Sequence, residues 1–184
     1  MTETTSPSPA PKKKKAAPRK AAKGAFDPRI VVFACNWCSY AGADTAGVSR
    51  IQHQPHFRMI RVMCSGRIQP AFVLRAFEKG ADGVLVSGCH FGDCHYIFGN
   101  ERAVEQFEKT MNVVKLLGIE EGRLRLEWIS AAEGARFAEV IDEFTDQVRS
   151  LGPSPFATSD SIDEIEVPET ETETGAETGK GMEA

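Results

Sequence analysis

The sequence lacks the features that mark several common classes of protein. No stretch approaches the roughly 20 consecutive apolar residues of a membrane-spanning helix, and the basic run near the N-terminus has no apolar segment after it, as a secretory signal would. The glycine motifs G-x-G-x-x-G and G-x-x-x-x-G-K-[ST], which bind dinucleotides and nucleoside triphosphates, are both missing. We therefore expect a cytoplasmic protein that does not bind nucleotides through these motifs.

Cysteine is also scarce, and the five cysteines that are present do not fit a disulfide framework. An odd number cannot pair completely, and these residues are not spread over loops as staples would be. Each one instead follows a short apolar run of the kind that forms a strand. Cys35 and Cys38 follow the first such run, Cys64 follows the second, and Cys89 and Cys94 follow the third. We therefore expect reduced thiols at the ends of strands.

The central part of the chain alternates predicted strands with predicted helices. The strands are expected at residues 30–34, 57–63, 84–86 and 124–129, and the helices at residues 42–52, 70–79, 100–118 and directly after Ser130. Asp44 and Asn100 are candidate N-caps, and Ser130 with Glu133 has the S-x-x-E pattern of a capping box. This alternation predicts an α/β domain with a four-stranded, mainly parallel sheet and flanking helices, whose ligands bind at the carboxyl ends of the strands.

The charge of the chain is concentrated in two terminal segments. Residues 1–24 are rich in Lys, Pro and Ala and carry six net positive charges, whereas residues 153–184 carry eight net negative charges. Neither segment has enough apolar residues to form a core, so we predict disordered tails around a single domain at residues 25–152. The lysines at 12–15 have no aromatic residues between them, so nucleic-acid binding is not expected.

Thiolates gathered at one edge of a sheet form a soft donor set, which selects zinc, copper(I) or an iron–sulfur cluster. The spacing is C-x2-C, a single Cys64, then C-x4-C, which matches neither the bacterial nor the plant ferredoxin order. An iron–sulfur cluster, a zinc ion and a metal-free dithiol function are all open on this spacing. Structural zinc usually has two close pairs on a small ribbon, and a C-x-x-C redox pair would leave three cysteines without a function.

Histidines and aromatic residues lie close to the cysteines in the sequence. His90 and His95 directly follow Cys89 and Cys94. We interpret them as neighbours of the site or as solvent-facing, with replacement of a thiolate ligand as the less common outcome. The aromatic candidates for an apolar wall that limits solvent access are Trp37, Phe91 and Tyr96.

Three segments of the chain resemble a known family: ACNWCSYAGAD at 34–44, RVMCSGR at 61–67 and GADGVLVSGCHFGDCHYIFGN at 80–100. They are similar to the delta, iron–sulfur subunit of methyl-viologen-reducing hydrogenase, which links a nickel–iron hydrogenase to heterodisulfide reductase in methanogens. The likeness extends over about residues 29–150. The resemblance implies a [2Fe-2S] cluster held by four of five cysteines, without indicating which one is spare. These candidate ligands are Cys35, Cys38, Cys64, Cys89 and Cys94.

The resemblance also implies electron transfer within an oxidoreductase complex, with no substrate of its own and no catalysis by this subunit in isolation. The expected electron donor is a hydrogenase small subunit, or a formate or pyridine-nucleotide dehydrogenase module. The expected acceptor is the flavin-containing subunit of heterodisulfide reductase. Two interpretations from other classes are a zinc-stabilised module that bridges two proteins and a C-x-x-C thiol–disulfide oxidoreductase.

Overall fold

The computed structural model describes residues 26–157, and its four strands form one parallel sheet. The strands are β1 (Ile30–Cys35), β2 (Phe57–Val62), β3 (Gly83–Gly88) and β4 (Leu124–Trp128). The helices are α1 (Ser39–Val48), α2 (Pro70–Glu78), α3 (Gly99–Leu116) and α4 (Gly134–Leu151). The predicted fold class, a four-stranded parallel sheet with flanking helices, is confirmed. We predicted disordered tails at 1–24 and 153–184, of which residues 1–24 and 158–184 lie outside the described residues. Residues 153–157 are described, and Ser154 among them is buried.

The strand order is β2-β1-β3-β4, which places β3 inside the sheet and β2 at one edge. All six residues of β3 are buried, because helices cover both faces of its apolar run. β2 alternates partly buried and exposed residues along most of its length, and β1 is its only strand neighbour within residues 26–157. The two strands therefore differ in burial as their positions in the sheet require.

Two hydrophobic cores lie on opposite faces of the sheet. Helices α1 and α4 cover one face, where Val32 of β1 and Leu85 of β3 are fully buried. Helices α2 and α3 cover the other face, where Phe33 of β1 and Val86 of β3 are buried. Neighbouring residues of one strand thus enter different cores, because successive side chains of a strand point to opposite faces. None of the helices between residues 26 and 157 combines the length and apolar character needed to cross a membrane.

The starts of three helices differ from the prediction. Helix α4 begins at Gly134 with Glu133 at its N-cap position, so Ser130 is not its cap. The other two are α1 and α3. Helix α1 begins at Ser39 with Cys38 at its N-cap position, so the assignment of Asp44 as the cap is wrong. The earlier start is stabilised by the Ser39 hydroxyl, which donates to the carbonyl of Gly88 at 3.2 Å. Helix α3 begins at Gly99, so Asn100 is not its N-cap either. Both helices therefore begin closer to the cysteines than local capping patterns indicated.

The amino ends of the strands meet at one edge of the sheet, which we term the amino-end rim. Asp82, just before β3, accepts the N–H of Ser154 at Oδ1 (2.9 Å) and the N–H of Arg29 at Oδ2 (2.8 Å). Arg123, just before β4, is only 1% exposed. Its guanidinium donates to the carbonyls of Asp82, Leu151, Gly152 and Pro153. This rim is therefore closed by hydrogen bonds within the chain, and they extend to residues 153 and 154.

Candidate metal centre

The carboxyl ends of the strands form the opposite edge of the sheet, and all five cysteines lie there. We term this edge the cysteine rim. Cys35 is the last residue of β1, and Cys38 directly precedes α1. One residue lies between the end of β2 and Cys64. Cys89 directly follows β3, and Cys94 lies in the loop between β3 and α3. The parallel arrangement brings together residues that are up to 59 positions apart in the sequence.

Three of the five sulfur atoms form a compact, buried group. The Sγ atoms of Cys35, Cys38 and Cys89 all lie within 4.8 Å of one another, and the three residues are buried. The Sγ of Cys89 lies 3.8 Å from that of Cys35 and 2.6 Å from that of Cys38. All three are free thiols, and 2.6 Å is well beyond the roughly 2.05 Å of a disulfide bond. The sulfurs are therefore gathered as separate donor atoms.

Cys64 and Cys94 complete the site on its more exposed side. Cys94 packs against the buried three, and both residues are partly exposed. Gly99, the first residue of α3, lies directly against them: a Cβ there would overlap the Sγ of Cys64 and lie 3.0 Å from that of Cys94. The lack of a side chain at Gly99 thus leaves room for these two sulfurs. The structure brings all five predicted ligand candidates to one place.

Among the three buried thiols, the hydrogen bonds favour ionisation of Cys35 and disfavour ionisation of Cys38 and Cys89. Hydrogen bonds from the thiols of Cys38 and Cys89 lower the pKa of Cys35. The same contacts with Cys35 raise the pKa values of Cys38 and Cys89, whose thiol protons stabilise the Cys35 thiolate. For Cys64, burial raises the pKa. Because metal ligands must be deprotonated, a cation that binds here would displace protons from several of these thiols.

Backbone N–H groups also point at the sulfurs. The N–H groups of Trp37 and Ser65 donate to the sulfur of Cys35 and lower its pKa, and that of Gly66 donates to Cys64 and opposes the effect of its burial. These donors belong to the turns after β1 and β2. Hydrogen bonds of this kind stabilise negative charge on sulfur and tune a bound metal.

The loop after β3 is held in place by polar contacts that local sequence patterns did not reveal. The amide of the buried Asn100 donates to the carbonyl of His90 at 2.8 Å. His90 Nε2 lies 2.6 Å from Oε2 of Glu133, which also accepts the N–H of Ser130 at 2.7 Å. Both contacts lower the pKa of Glu133, and the hydrogen bond from the Ser130 N–H has the larger effect. Glu133 thus makes half of the predicted capping box and in addition anchors the cysteine loop.

Aromatic rings surround the cysteine rim and are largely open to solvent. Trp37 stacks on His95, with ring centroids 3.9 Å apart, and its indole nitrogen lies 3.4 Å from the hydroxyl of Tyr96. Phe91 packs edge-on against Trp128 at the end of β4. The predicted aromatic residues thus do lie around the site, although each is about half exposed: Trp37 46%, Tyr96 45% and Phe91 57%. Trp128 was not singled out, because only the strand order shows that β4 ends beside the loop after β3.

The geometry and chemistry of the five cysteines fit a soft metal centre. A tetrahedral centre with metal–sulfur bonds of about 2.3 Å places its sulfurs about 3.8 Å apart, which matches the distance between Cys35 and Cys89. The sulfurs of Cys38 and Cys89, 2.6 Å apart, would have to separate by about 1 Å for both to bind. The donors are thiols, three of them are buried, and N–H groups already point at two of the sulfurs. Soft ligands of this kind select zinc, copper(I) or iron–sulfur clusters. The residues therefore fit the group implied by the family resemblance.

Comparison with known proteins identifies the family. Residues 30–152 match the family described as methyl-viologen-reducing hydrogenase, delta subunit. The chain belongs to this family. The match begins at the first residue of β1 and ends just after α4, so it contains the whole sheet and the cysteine rim. The resemblance seen in the three cysteine segments is confirmed.

Individual relatives of this hydrogenase delta-subunit family are similar over the same part of the chain. The iron–sulfur subunit of the vhc F420-non-reducing hydrogenase from Methanococcus voltae is 51% identical over 128 residues, which cover 70% of this chain and 89% of that protein. The F420-non-reducing hydrogenase iron–sulfur subunit from Archaeoglobus profundus is 50% identical over 131 residues, which cover 71% of this chain and 96% of that protein.

A third relative is a much longer protein. It is one of the subunits of the ferredoxin/F(420)H(2)-dependent CoB-CoM heterodisulfide reductase from Methanosarcina acetivorans. This relative is 52% identical over 126 residues, which cover 68% of this chain but only 16% of that protein. The matching region therefore makes up most of the two hydrogenase subunits but only a small part of the heterodisulfide reductase protein.

Proposed function

We propose that this protein is an iron–sulfur electron-transfer subunit whose [2Fe-2S] cluster is held by four of the residues Cys35, Cys38, Cys64, Cys89 and Cys94. The observation that carries the proposal is the convergence of five free thiols on one rim, three of them buried with sulfurs within 4.8 Å. Two relatives of about 50% identity are named iron–sulfur subunits, which supports iron over zinc.

The protein residues would hold the cluster, tune it and limit its contact with water. A bound [2Fe-2S] cluster accepts and releases one electron at a time, so the site needs no general acid or base. The N–H groups of Trp37, Ser65 and Gly66 stabilise charge on the sulfurs, which favours the reduced state. Burial of Cys35, Cys38 and Cys89 in a low-dielectric environment opposes added negative charge. The balance of these two effects sets the reduction potential.

The exposed aromatic side chains beside the cysteines suit contact with redox partners. Trp37, Tyr96 and Phe91 are about half exposed within a few residues of a candidate ligand, so electrons would have a short path to the surface. We propose that a hydrogenase small subunit, or a formate or pyridine-nucleotide dehydrogenase module, donates the electrons. The flavin subunit of a heterodisulfide reductase would accept them. The names of the relatives, which include both hydrogenase and heterodisulfide reductase subunits, support a hydrogenase as donor and a heterodisulfide reductase as acceptor.

A zinc-stabilised bridging module is the second candidate function. The group of Cys35, Cys38 and Cys89, with the 3.8 Å distance between two of its sulfurs, would also suit one tetrahedral zinc ion. A thiol–disulfide oxidoreductase is less well supported, because the Cys38 sulfur lies 2.6 Å from Cys89, outside the C-x-x-C motif. The proposal of an electron-transfer subunit therefore depends on which metal the protein contains.

The test is the metal and sulfide content of protein purified without oxygen, with an EPR spectrum after dithionite reduction. About two irons and two acid-labile sulfides per chain, with an S = 1/2 signal, would support the [2Fe-2S] proposal. Zinc without sulfide would replace it with the bridging module. Metal-free protein that reduces disulfides through Cys35 and Cys38 would replace it with the oxidoreductase.

A further inference from the structure

A groove that none of the five cysteines lines lies beside the edge strand β2. It has a volume of about 1580 Å³ and runs between β2, the first residues of β1 and helix α2. Val31, Phe33 and Ile60 line it from the sheet, and Phe72 lines it from α2. The ring of Phe72 packs edge-on against the buried ring of Phe33. The groove therefore has an apolar floor of four side chains.

The groove exists because no described element covers the outer part of this face. Helices α2 and α3 pack over the core that contains Val73, Phe77 and Val114, and β2 lies at the edge of the sheet beyond them. As a result, Ile60 is 46% exposed and Phe72 is 48% exposed. Large apolar side chains that are half exposed side by side favour an occupant that removes them from water.

Positive charge surrounds this apolar floor. Four cationic residues and a single acidic residue, Asp27, line the groove. Arg29 is paired with Asp82 and Arg75 with Glu78. Arg58, on the edge strand itself, is exposed and forms no ion pair within residues 26–157. The cationic residues are Arg29, Arg58, Arg75 and Lys79. An occupant should therefore combine apolar side chains with negative charge.

The described chain ends next to this groove. Ser154 and Arg29 share the carboxylate of Asp82, and Arg29 is itself a lining residue. Only two residues separate Ala157, the last described residue, from Asp160. Each residue of extended chain spans up to about 3.5 Å, so the segment from 160 onward can reach the groove without crossing the molecule.

One segment of the chain has the required chemistry. Residues 160–168 read DSIDEIEVP and contain four carboxylates together with the branched apolar residues Ile162, Ile165 and Val167. The remainder of the acidic C-terminal segment contains no branched aliphatic residue, and residues 1–24 are lysine-rich and would be repelled by the cationic lining. We propose that residues 160–168 bind in the groove beside β2 of the same chain.

This contact is independent of the cysteine rim. The groove is lined by residues 30–33 of β1, by residues 57–60 of β2 and by α2, and none of the five cysteines is among its lining residues. Binding of the segment would cover Ile60, Phe72 and the free edge of β2, which is otherwise available for pairing with another chain. Its loss should therefore change protection of β2 and leave the metal content unchanged.

The experiment is hydrogen exchange, read by mass spectrometry, on the full-length, metal-loaded protein. One variant carries Ile162→Ser, Ile165→Ser and Val167→Ser, and the matched control carries Thr170→Ser, Thr172→Ser and Thr174→Ser. We expect peptides covering residues 57–62 to exchange about tenfold faster in the first variant and at the wild-type rate in the control. Both variants should keep the visible spectrum of the wild-type protein.

A charge exchange gives a second measurement that does not depend on the apolar residues. Arg58→Glu should release the segment and speed exchange of β2, and combining it with Glu164→Arg and Glu166→Arg should restore most of the protection. Wild-type exchange rates in all variants would overturn the proposal, as would equal acceleration in the threonine control. Protection that disappears on roughly hundredfold dilution would also overturn it, because a second copy would then fill the groove.

Discussion

The residues at the two rims of the sheet interact in different ways. At the amino-end rim the buried Arg123 donates to four backbone carbonyls, and both carboxylate oxygens of Asp82 accept backbone N–H groups. At the cysteine rim the groups that meet are five free thiols, ringed by half-exposed aromatic residues. The amino-end rim satisfies its polar groups within the chain. The cysteine rim offers donors and apolar surface that a metal and a partner can use.

The amino-end rim stabilises the fold, whereas the cysteine rim carries the candidate metal site. Buried polar groups cost free energy unless they are paired, so the network around Arg123 contributes to folding only while it is complete. Thiols can be buried at a lower cost, and they gain their strongest interactions only when a metal replaces their protons. Changes at the two rims should therefore have separable effects on metal content and on unfolding.

The largest effect is expected from Cys89→Ser. Cys89 contacts both other buried sulfurs, so its replacement removes the thiol on which the group is centred. If the proposed cluster is present in the wild type, we expect its complete loss, measured as iron and sulfide per chain, with far-UV circular dichroism close to that of wild type. Retention of the cluster in this variant would show that Cys89 is not a ligand.

The matching change at the amino-end rim is Arg123→Met. It removes the partner of four carbonyl groups, and we expect a loss of about 3 kcal/mol in the free energy of unfolding, measured with urea. The folded fraction should keep its iron. Arg102→Met, on the exposed face of α3, is the control and should change stability by less than about 0.5 kcal/mol. Loss of iron in Arg123→Met would mean that the two rims are coupled.

Gly99→Ala tests the space around the two outer thiols. The added methyl would overlap the Sγ of Cys64, which can rotate away, so the fold should persist while the ligand position is lost. We expect roughly tenfold weaker retention of iron against a chelator, about 1.4 kcal/mol. The control is Gly47→Ala in α1, where a Cβ meets nothing within 4 Å and iron retention should not change. Unaltered retention in Gly99→Ala would exclude both Cys64 and Cys94 as important ligands.

The smallest effect is expected from Glu133→Gln, which weakens the anchor of the cysteine loop. The pKa of Glu133 is lowered in the folded state, so its carboxylate adds stability that is present above the unfolded-state pKa of about 4.3 and is lost as the pH falls through the folded-state value. Since the His90–Glu133 pair is 40% exposed or more, we expect a loss of about 0.5 kcal/mol at pH 7.

The pH dependence is the decisive part of that measurement. The difference in unfolding free energy between Glu133→Gln and wild type should shrink below about pH 4.3, because the wild-type carboxylate becomes protonated as well. Glu105→Gln, exposed on α3, should show no such dependence. A difference that stays constant down to low pH would mean that the charge of Glu133 does not anchor the loop.

Much of the site could be predicted because its residues occupy strand ends. The alternation of strands and helices implied a parallel sheet, and such a sheet gathers the carboxyl ends of its strands at one edge. Cys35, Cys64 and Cys89 therefore had to lie at the same rim. Helix starts were harder to predict, since Ser39 contacts Gly88 at the end of β3 and Asn100 contacts His90 just after it, and no local capping pattern contains such contacts.

What the sequence by itself determined is the set of elements, the sheet type, the cysteine rim and the family, because hydrophobic periodicity and short motifs act over a few residues. Only the tertiary structure decided that Cys38 lies closest to Cys89, that Gly99 makes room for Cys64, and that a cationic groove flanks β2. Those features depend on the strand order and on how closely helices pack against the sheet, which are contacts between residues far apart in the chain.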